Sequence, residues 1–225
     1  MKTKTPPLLV AIVGGSGAGK TWLAEKLQAF LGPEATRLTL DDFYRDRSHL
    51  PITQRARINF DHPRAIDWAA VQCALRDYLA GRPVHRPVYD FRTHCRMART
   101  KVLPSKPVLI MDGLWLLRRP SLRRLFDLRI FIDCPTRARW RRRLARDLRS
   151  RGRSRTWIGR QFWETVEPMH RRFVTPQRRW ADLVLPGTFG QREVKQIAEW
   201  LRKRAVPGIW RPPALADRRK QREVA

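Results

Sequence analysis

Near the start of the chain, Gly14-Gly15-Ser16-Gly17-Ala18-Gly19-Lys20-Thr21 has the residue types and spacing of a phosphate cradle, G-x-x-x-x-G-K-T. Glycines let backbone N–H groups face phosphate oxygens with no Cβ in the way. The lysine can reach the β- and γ-phosphates, and the threonine hydroxyl can ligate Mg²⁺. An apolar run, Leu8–Val13, leads into the motif and a helical pattern, Trp22–Leu31, leads out of it. A strand before and a helix after are the context the chemistry needs, because the helix adds its positive N-terminal end. The chemistry indicated is the binding of a nucleoside triphosphate.

Two carboxylates follow apolar runs in the manner of strand ends. Asp112 follows Val108–Met111, and Asp41 follows Leu38-Thr39-Leu40. In a parallel sheet the carboxyl ends of the strands form the ligand crevice. One carboxylate can hold the metal shell while the other accepts the proton of an acceptor hydroxyl. Thr21, Asp41 and Asp112 are therefore the candidate metal ligands, and Lys20 and Asp41 candidate catalytic groups. A further helical segment starts at Pro135 and runs to about Ser150. Its Trp140, Leu144 and Leu148 repeat at i, i+4, i+8 as an apolar stripe. Arg139, Arg143 and Arg146 share another face, about 135° away at 100° per residue. Three guanidiniums on one face suit a lid over a triphosphate, where they stabilise charge on the transferring phosphoryl group. Arg137, Arg141 and Arg142 read as solvated surface.

The elements that must position these groups alternate along the chain. After Thr36–Leu40, a second strand, comes a helix around Ile66–Ala80 closed by Gly81. Pro83–Val102, rich in Val, Tyr and Phe but broken by prolines, reads as a small β insertion or lid. Strands follow at Val108–Met111, Leu128–Asp133 and Ala181–Leu185. Helices follow at about Thr156–Val174 and at Glu193–Arg204. Such alternation implies a three-layer α/β/α fold on a five-stranded parallel sheet, with the β insertion and the Arg-rich helix as lids. The expected organisation is one domain over 1–206, with the insertion at about 83–103 and the Arg-rich lid at about 136–161. A disordered basic tail over 207–225 would follow.

Bulk properties bound the function. The chain has 225 residues, 42% of them hydrophobic, enough for one packed core without disulfides. Cys73, Cys95 and Cys134 are odd in number and form no CxxC pair, which suits the reducing cytoplasm. No signal peptide or membrane span is expected, since the apolar runs are too short. The net charge of +28 attracts nucleic acids and polyphosphates alike. No nucleic-acid motif accompanies it, so dedicated nucleic-acid binding is not expected.

Taken in order, the pieces resemble the phosphoribulokinase/uridine kinase family of P-loop kinases, and within it the uridine–cytidine kinases. The resemblance covers roughly Leu8 to Gly187. It is carried by Gly14–Thr21, Asp41-Asp42-Phe43-Tyr44, Asn59-Phe60-Asp61-His62-Pro63 and Pro87-Val88-Tyr89-Asp90-Phe91 with His94 and Arg96. Asp112-Gly113, Arg146-Asp147 with Arg151-Gly152-Arg153, Gln161, and Trp180-Ala181-Asp182 before Pro186 complete it. The resemblance implies phosphotransfer from ATP or GTP, with Mg²⁺, to the 5′-hydroxyl of uridine or cytidine. It implies Asp41 as the base, Asp61 on the ribose hydroxyls, Tyr89 and Phe91 flanking the pyrimidine, and His94 at its 4-position. Tyr44 falls on the substrate side. Arg143, Arg153 and Gln161 are implied near the nucleoside, and Arg146 and Arg151 near the phosphates. A homotetramer is implied as well.

The sequence departs from the family twice. Asp112-Gly113 stands where Glu-Gly is usual, and the shorter carboxylate suggests a metal held through a water. Gly187-Thr188-Phe189-Gly190-Gln191 lacks the usual acid near the donor base, so donor preference is expected to be loose. Two other readings fit parts of the sequence. One is a kinase of the same superfamily acting on a phosphorylated sugar or pantothenate. The other is a nucleotide- or RNA-binding regulator without turnover.

Overall fold

A computed structural model describes residues 6–55, 57–150 and 152–204. The expected tail over 207–225 and Arg151 lie outside the described residues. β1 (Leu8–Gly14) leads into α1 (Lys20–Leu31), and β2 (Ala35–Thr39) into a 3-10 turn, Leu40–Phe43. The short α2 (Ile52–Arg55) and the longer α3 (Trp68–Leu79) precede a hairpin of β3 (Val84–Asp90) and β4 (Cys95–Leu103). Then come β5 (Val108–Gly113), the short α4 (Pro120–Arg123), β6 (Leu128–Asp133) and α5 (Thr136–Ser150). A helical stretch carries α6 (Arg155–Gln161) and α7 (Glu167–Met169), before β7 (Leu183–Pro186) and α8 (Gln191–Arg204) close the described chain.

Five strands form one parallel sheet in the order β2-β5-β1-β6-β7. The two central strands are buried on both faces, which is why they read as unbroken Val, Leu and Ile runs. Alternate residues serve two cores. Leu9, Ala11 and Val13 face α3, and Val10 and Ile12 face α1 and α8. Register places the chemistry. Asp112 on β5 lies opposite Ile12 on one side and Thr39 on the other, so β1, β2 and β5 all end at the same edge. Gly113 must be glycine, because a Cβ there would sit 2.5 Å from the Cβ of Leu40.

The hairpin of β3 and β4 is antiparallel, with a register shift between Pro87 and Tyr89. Proline has no N–H for the ladder, so pairing breaks there. His94, in its turn, holds φ at +58°, a left-handed conformation unusual for a non-glycine residue. The stretch after α6 widens into π turns at Phe162–Val166 and His170–Val174, on either side of Pro168. Pro168 has no N–H to give the preceding turn. No helix among the described residues is long and apolar enough to cross a membrane.

The Arg-rich helix turns its arginine face to the cleft, which Arg143 and Arg146 border. Its buried positions are Arg139, Arg143 and Asp147, spaced i, i+4, i+8. The apolar stripe is only partly covered, with Trp140 against Phe162 and Trp163, and Leu148 47% exposed. A charged face can go inside only when its charges are paired. Arg139 is paired with Glu167 at 2.5 Å, and Asp147 receives Arg143 of its own helix and Arg153 of the turn into α6.

Candidate active site

The phosphate end of the cleft is built on the β1–α1 turn. Gly17 (φ +79°) and Gly19 (φ +103°) adopt backbone conformations that disfavour other residues. A Cβ on Gly17 would also strike the Arg139 carbonyl oxygen at 2.4 Å. The turn closes with Ala18 N–H donating to the Gly15 carbonyl at 3.0 Å, and Lys20 Nζ donates to the same carbonyl at 3.0 Å. Burial holds the Lys20 ammonium below its usual range, and the nearby Asp112 and Asp41 carboxylates offset part of that.

Asp112 lies under the cradle, 3% exposed. Its Oδ2 accepts a hydrogen bond from the Thr21 hydroxyl at 3.2 Å, while Oδ1 is buried without a hydrogen-bond partner. Burial raises its pKa to about 6; Lys20 pulls the other way and Asp41 adds to the rise. An orphaned carboxylate oxygen beside a hydroxyl is what a cation would complete. Among the described residues no group of three or more His, Cys, Asp or Glu side chains could hold a metal alone. This donor set fits Mg²⁺, which takes one or two carboxylates and fills its shell with phosphate oxygens and water. Asp41 borders the same cleft from the turn after β2, where its N–H donates to Thr39 Oγ1 at 3.4 Å.

The other end of the cleft is aromatic. Tyr44 lies 5.1 Å from Tyr89 and 6.4 Å from Phe91, ring centre to ring centre, and its hydroxyl donates to the Phe60 carbonyl at 3.1 Å. His94 stacks on Phe60 at 4.5 Å with planes 9° apart. The Tyr89 hydroxyl is buried without a hydrogen-bond partner, and burial pushes its pKa up. The hairpin is fastened over this end by two ion pairs. Arg86 meets Asp42 at 2.8 Å, and Arg96 meets Asp67 at 3.3 Å while also donating to the Tyr44 carbonyl.

Between the two ends, Arg143 donates to Ser16 Oγ at 2.9 Å and to Gln161 Oε1 at 2.7 Å, and lies 3.8 Å from Asp61. Arg153 also reaches Gln161, at 3.4 Å. Arg146 borders the cleft with 41% of its side chain exposed. Ser16, Lys20, Thr21, Asp41 and Asp112 border the phosphate end of the cleft. Tyr44, Asp61, Tyr89, Phe91 and His94 border the aromatic end, and Arg143, Arg146, Arg153 and Gln161 lie along its arginine wall. Gly14, Gly15, Gly17, Ala18 and Gly19, expected in the cradle, are not among the residues that border the cleft.

Four contributors were not singled out from the sequence. Phe60 supplies the ring under His94, and its signal was its place beside Asp61. Asp147 is the lone acid of α5, and its carboxylate lies 2.8 Å from Arg146, 3.5 Å from Arg143 and 3.9 Å from Arg153. Glu167 holds Arg139 beneath the cradle. Arg142, expected as solvated surface, is exposed and also donates to the Ala18 and Gly187 carbonyls at 3.2 and 2.8 Å. Those carbonyls turn outward from the phosphate turn and from the loop after β7, which no sequence pattern reveals.

A parallel sheet with a glycine cradle after its central strand and a carboxylate under the cradle defines a P-loop phosphotransferase. Residues 9–193 match the Phosphoribulokinase / Uridine kinase family. The chain is 38% identical over 184 residues to the uridine kinase of Chloroflexus aurantiacus, covering 81% of this chain and 88% of that one. It is 36% identical over 181 residues to the uridine kinase of Bacillus subtilis, covering 80% and 86%. The solved phosphoribulokinase from Rhodobacter spheroides superposes with a TM-score of 0.62 at 16% identity, covering 81% of this chain and 71% of that one. The chain belongs to the Phosphoribulokinase / Uridine kinase family.

Proposed function

We propose that the protein is a uridine–cytidine kinase of pyrimidine salvage, transferring the γ-phosphate of ATP or GTP to the 5′-hydroxyl of the nucleoside. The observation that carries this reading is a ring-lined pocket on the same cleft as the phosphate cradle. Tyr44, Tyr89 and Phe91 enclose it, and the Phe60–His94 stack and Asp61 flank it. A sugar phosphate needs no slot for a flat base.

The roles proposed are those the resemblance implies, and the residues bordering the cleft support them. Gly14 to Gly19 turn their N–H groups to the triphosphate, and Lys20 leaves the Gly15 carbonyl for it. Arg146 and Arg151 are assigned to the phosphates. Mg²⁺, held by Thr21, Asp112 and Asp41, would neutralise charge on the β- and γ-phosphates. Asp41 accepts the proton of the 5′-hydroxyl as its oxygen attacks phosphorus and the nucleoside diphosphate leaves. Asp61 accepts two hydrogen bonds from the ribose cis-diol. His94 can donate to a carbonyl or accept from an amine according to tautomer, which suits both uracil and cytosine. Arg143, Arg153 and Gln161 close the nucleoside side and exclude water, which would otherwise take the phosphoryl group.

An acceptor panel read by ADP release tests the proposal. Uridine and cytidine are expected to turn over. 2′-Deoxyuridine is expected to lose about 10²-fold or more in kcat/KM, because Asp61 would keep an unmet acceptor. Turnover of a sugar phosphate with neither nucleoside would overturn the assignment. The reading also places the enzyme in the cytoplasm, consistent with three free cysteines. It further includes a homo-oligomer, the resemblance implying a tetramer. Light scattering on the purified protein checks the assembly.

A further inference from the structure

Six arginines outside the cleft gather on one face from three separate segments. Arg118 and Arg172 bracket the ring of Phe173, at 5.0 and 5.1 Å. Arg123 and Arg179 bracket the ring of Trp180, at 4.2 and 4.4 Å. Arg119 lies over Trp68 at 4.9 Å. Arg64 belongs to the neighbouring turn, where His62 meets Phe173 edge-on at 4.8 Å and the Trp68 indole donates to the Pro63 carbonyl. Gln177 ties the segments together, accepting from Leu117 N–H and donating to the carbonyls of Leu114 and Phe173. His62 registers the field: beyond the effect of burial, its pKa is lowered by Arg64, Arg172 and Arg118.

None of the six forms an ion pair with a described carboxylate. Gly113 to Phe126 and Pro168 to Ala181, which carry five of them, contain no Asp or Glu. Arg123 also donates one N–H to the Leu117 carbonyl at 3.3 Å; a guanidinium laid on a ring is held in place and presents its remaining N–H edge, the geometry that suits a phosphate. Two of the three rings are covered, Trp68 being 6% and Phe173 8% exposed, and Trp180 is half-buried. No large exposed hydrophobic side chain belongs to this face. It therefore lacks the apolar anchors that a protein partner or a lipid surface would use. Three ring stations also offer more cations than one nucleotide would engage.

We propose that this arginine–aromatic face binds the phosphodiester backbone of single-stranded RNA, separately from the kinase cleft. The sequence carries no motif for it because the six residues come together only in the fold. The proposal is independent of the acceptor assignment.

The test is fluorescence anisotropy of a labelled 20-nucleotide adenine RNA, with saturating ATP, from 50 to 300 mM KCl. With about 0.7 counterions released per phosphate contacted, six contacts give a slope of log K on log salt of about −4. Replacing Arg118, Arg123, Arg172 and Arg179 by Gln is expected to flatten that slope by about 3 and weaken binding at 100 mM salt at least tenfold. Replacing them by Lys is expected to preserve most of the slope, which separates charge from folding damage. A control removes equal charge elsewhere, with Arg99, Arg141, Arg192 and Lys203 changed to Gln, and is expected to keep wild-type binding. Melting by circular dichroism checks that every variant is folded. Equal losses in the two Gln quadruple variants would make the binding diffuse electrostatics and overturn the proposal. So would binding to phosphatidylserine vesicles without binding to RNA.

Discussion

At the residue scale, Asp112 joins burial to chemistry. A cation needs its carboxylate form, so protons and Mg²⁺ compete for it. With a pKa raised to about 6, half-saturating Mg²⁺ in the kinase assay is expected to rise about tenfold per pH unit below that value. A flat Mg²⁺ requirement from pH 7 down to 5 would remove Asp112 from the metal shell. In the nucleotide-free protein the folded state prefers the neutral carboxyl. Its stabilising contribution is present below the ordinary carboxylate range and is lost as pH rises through about 6. The difference in Tm between wild type and Asp112→Asn, followed against pH, reads that sign. Asp41→Asn keeps the size of the proposed base and removes its proton affinity. Initial rates are expected to show kcat lower by about 10²–10⁴ with KM for uridine little changed. A change confined to KM would make Asp41 a binding group instead. These residues were legible in the sequence because phosphate chemistry dictates their types and spacing. Asp147 was not, because a carboxylate's task depends on which face of its helix turns inward.

At the element scale, β1 and β5 were legible because a strand buried on both faces must be apolar throughout. Helix α5 was legible in part. Its sequence set an apolar stripe, Trp140, Leu144 and Leu148, apart from an arginine face, and of that face the fold buries Arg139 and Arg143, with Asp147 beside them. Periodicity reports a face, and pairing decides which face can be buried. Asp147, with no side-chain exposure, sits among Arg143, Arg146 and Arg153 from both sides of the turn into α6. Asp147→Asn keeps the shape and leaves the buried Arg143 guanidinium with Asp61, 3.8 Å away, as its remaining counter-charge. Removing one partner of a buried ion pair costs about 3–5 kcal/mol, and urea unfolding is expected to show a loss of that order. A loss below about 1 kcal/mol would mean that Ser16 and Gln161 suffice to anchor the arginine wall.

At the scale of the whole molecule, the sheet order explains why groups distant in sequence meet. β1, β5 and β2 end side by side, so the cradle, Asp112 and Asp41 converge, while the β3–β4 hairpin and α5–α6 wall in the cleft from two sides. Lys20, Arg139, Arg143, Arg146 and Arg153 all crowd this region, and Lys20 is held below its usual pKa. Asp41, Asp61, Asp112, Asp147 and Glu167 match those five cations in number, so a polyanion would be held by the cradle's backbone N–H groups and Lys20, which come together in the folded chain alone. A ligand that binds only the native state stabilises it by about 2.7 kcal/mol at 100 times its Kd. For a chain of this size each kcal/mol raises Tm by about 2–4 °C, which gives a shift of about 5–11 °C. Thermal unfolding with saturating ATP and Mg²⁺ is expected to show that rise, and adenosine, which lacks the phosphates, is expected to give almost none. Equal shifts with adenosine and ATP would place the binding energy in a base slot rather than in the phosphate cradle. The arginine wall would then need a different purpose.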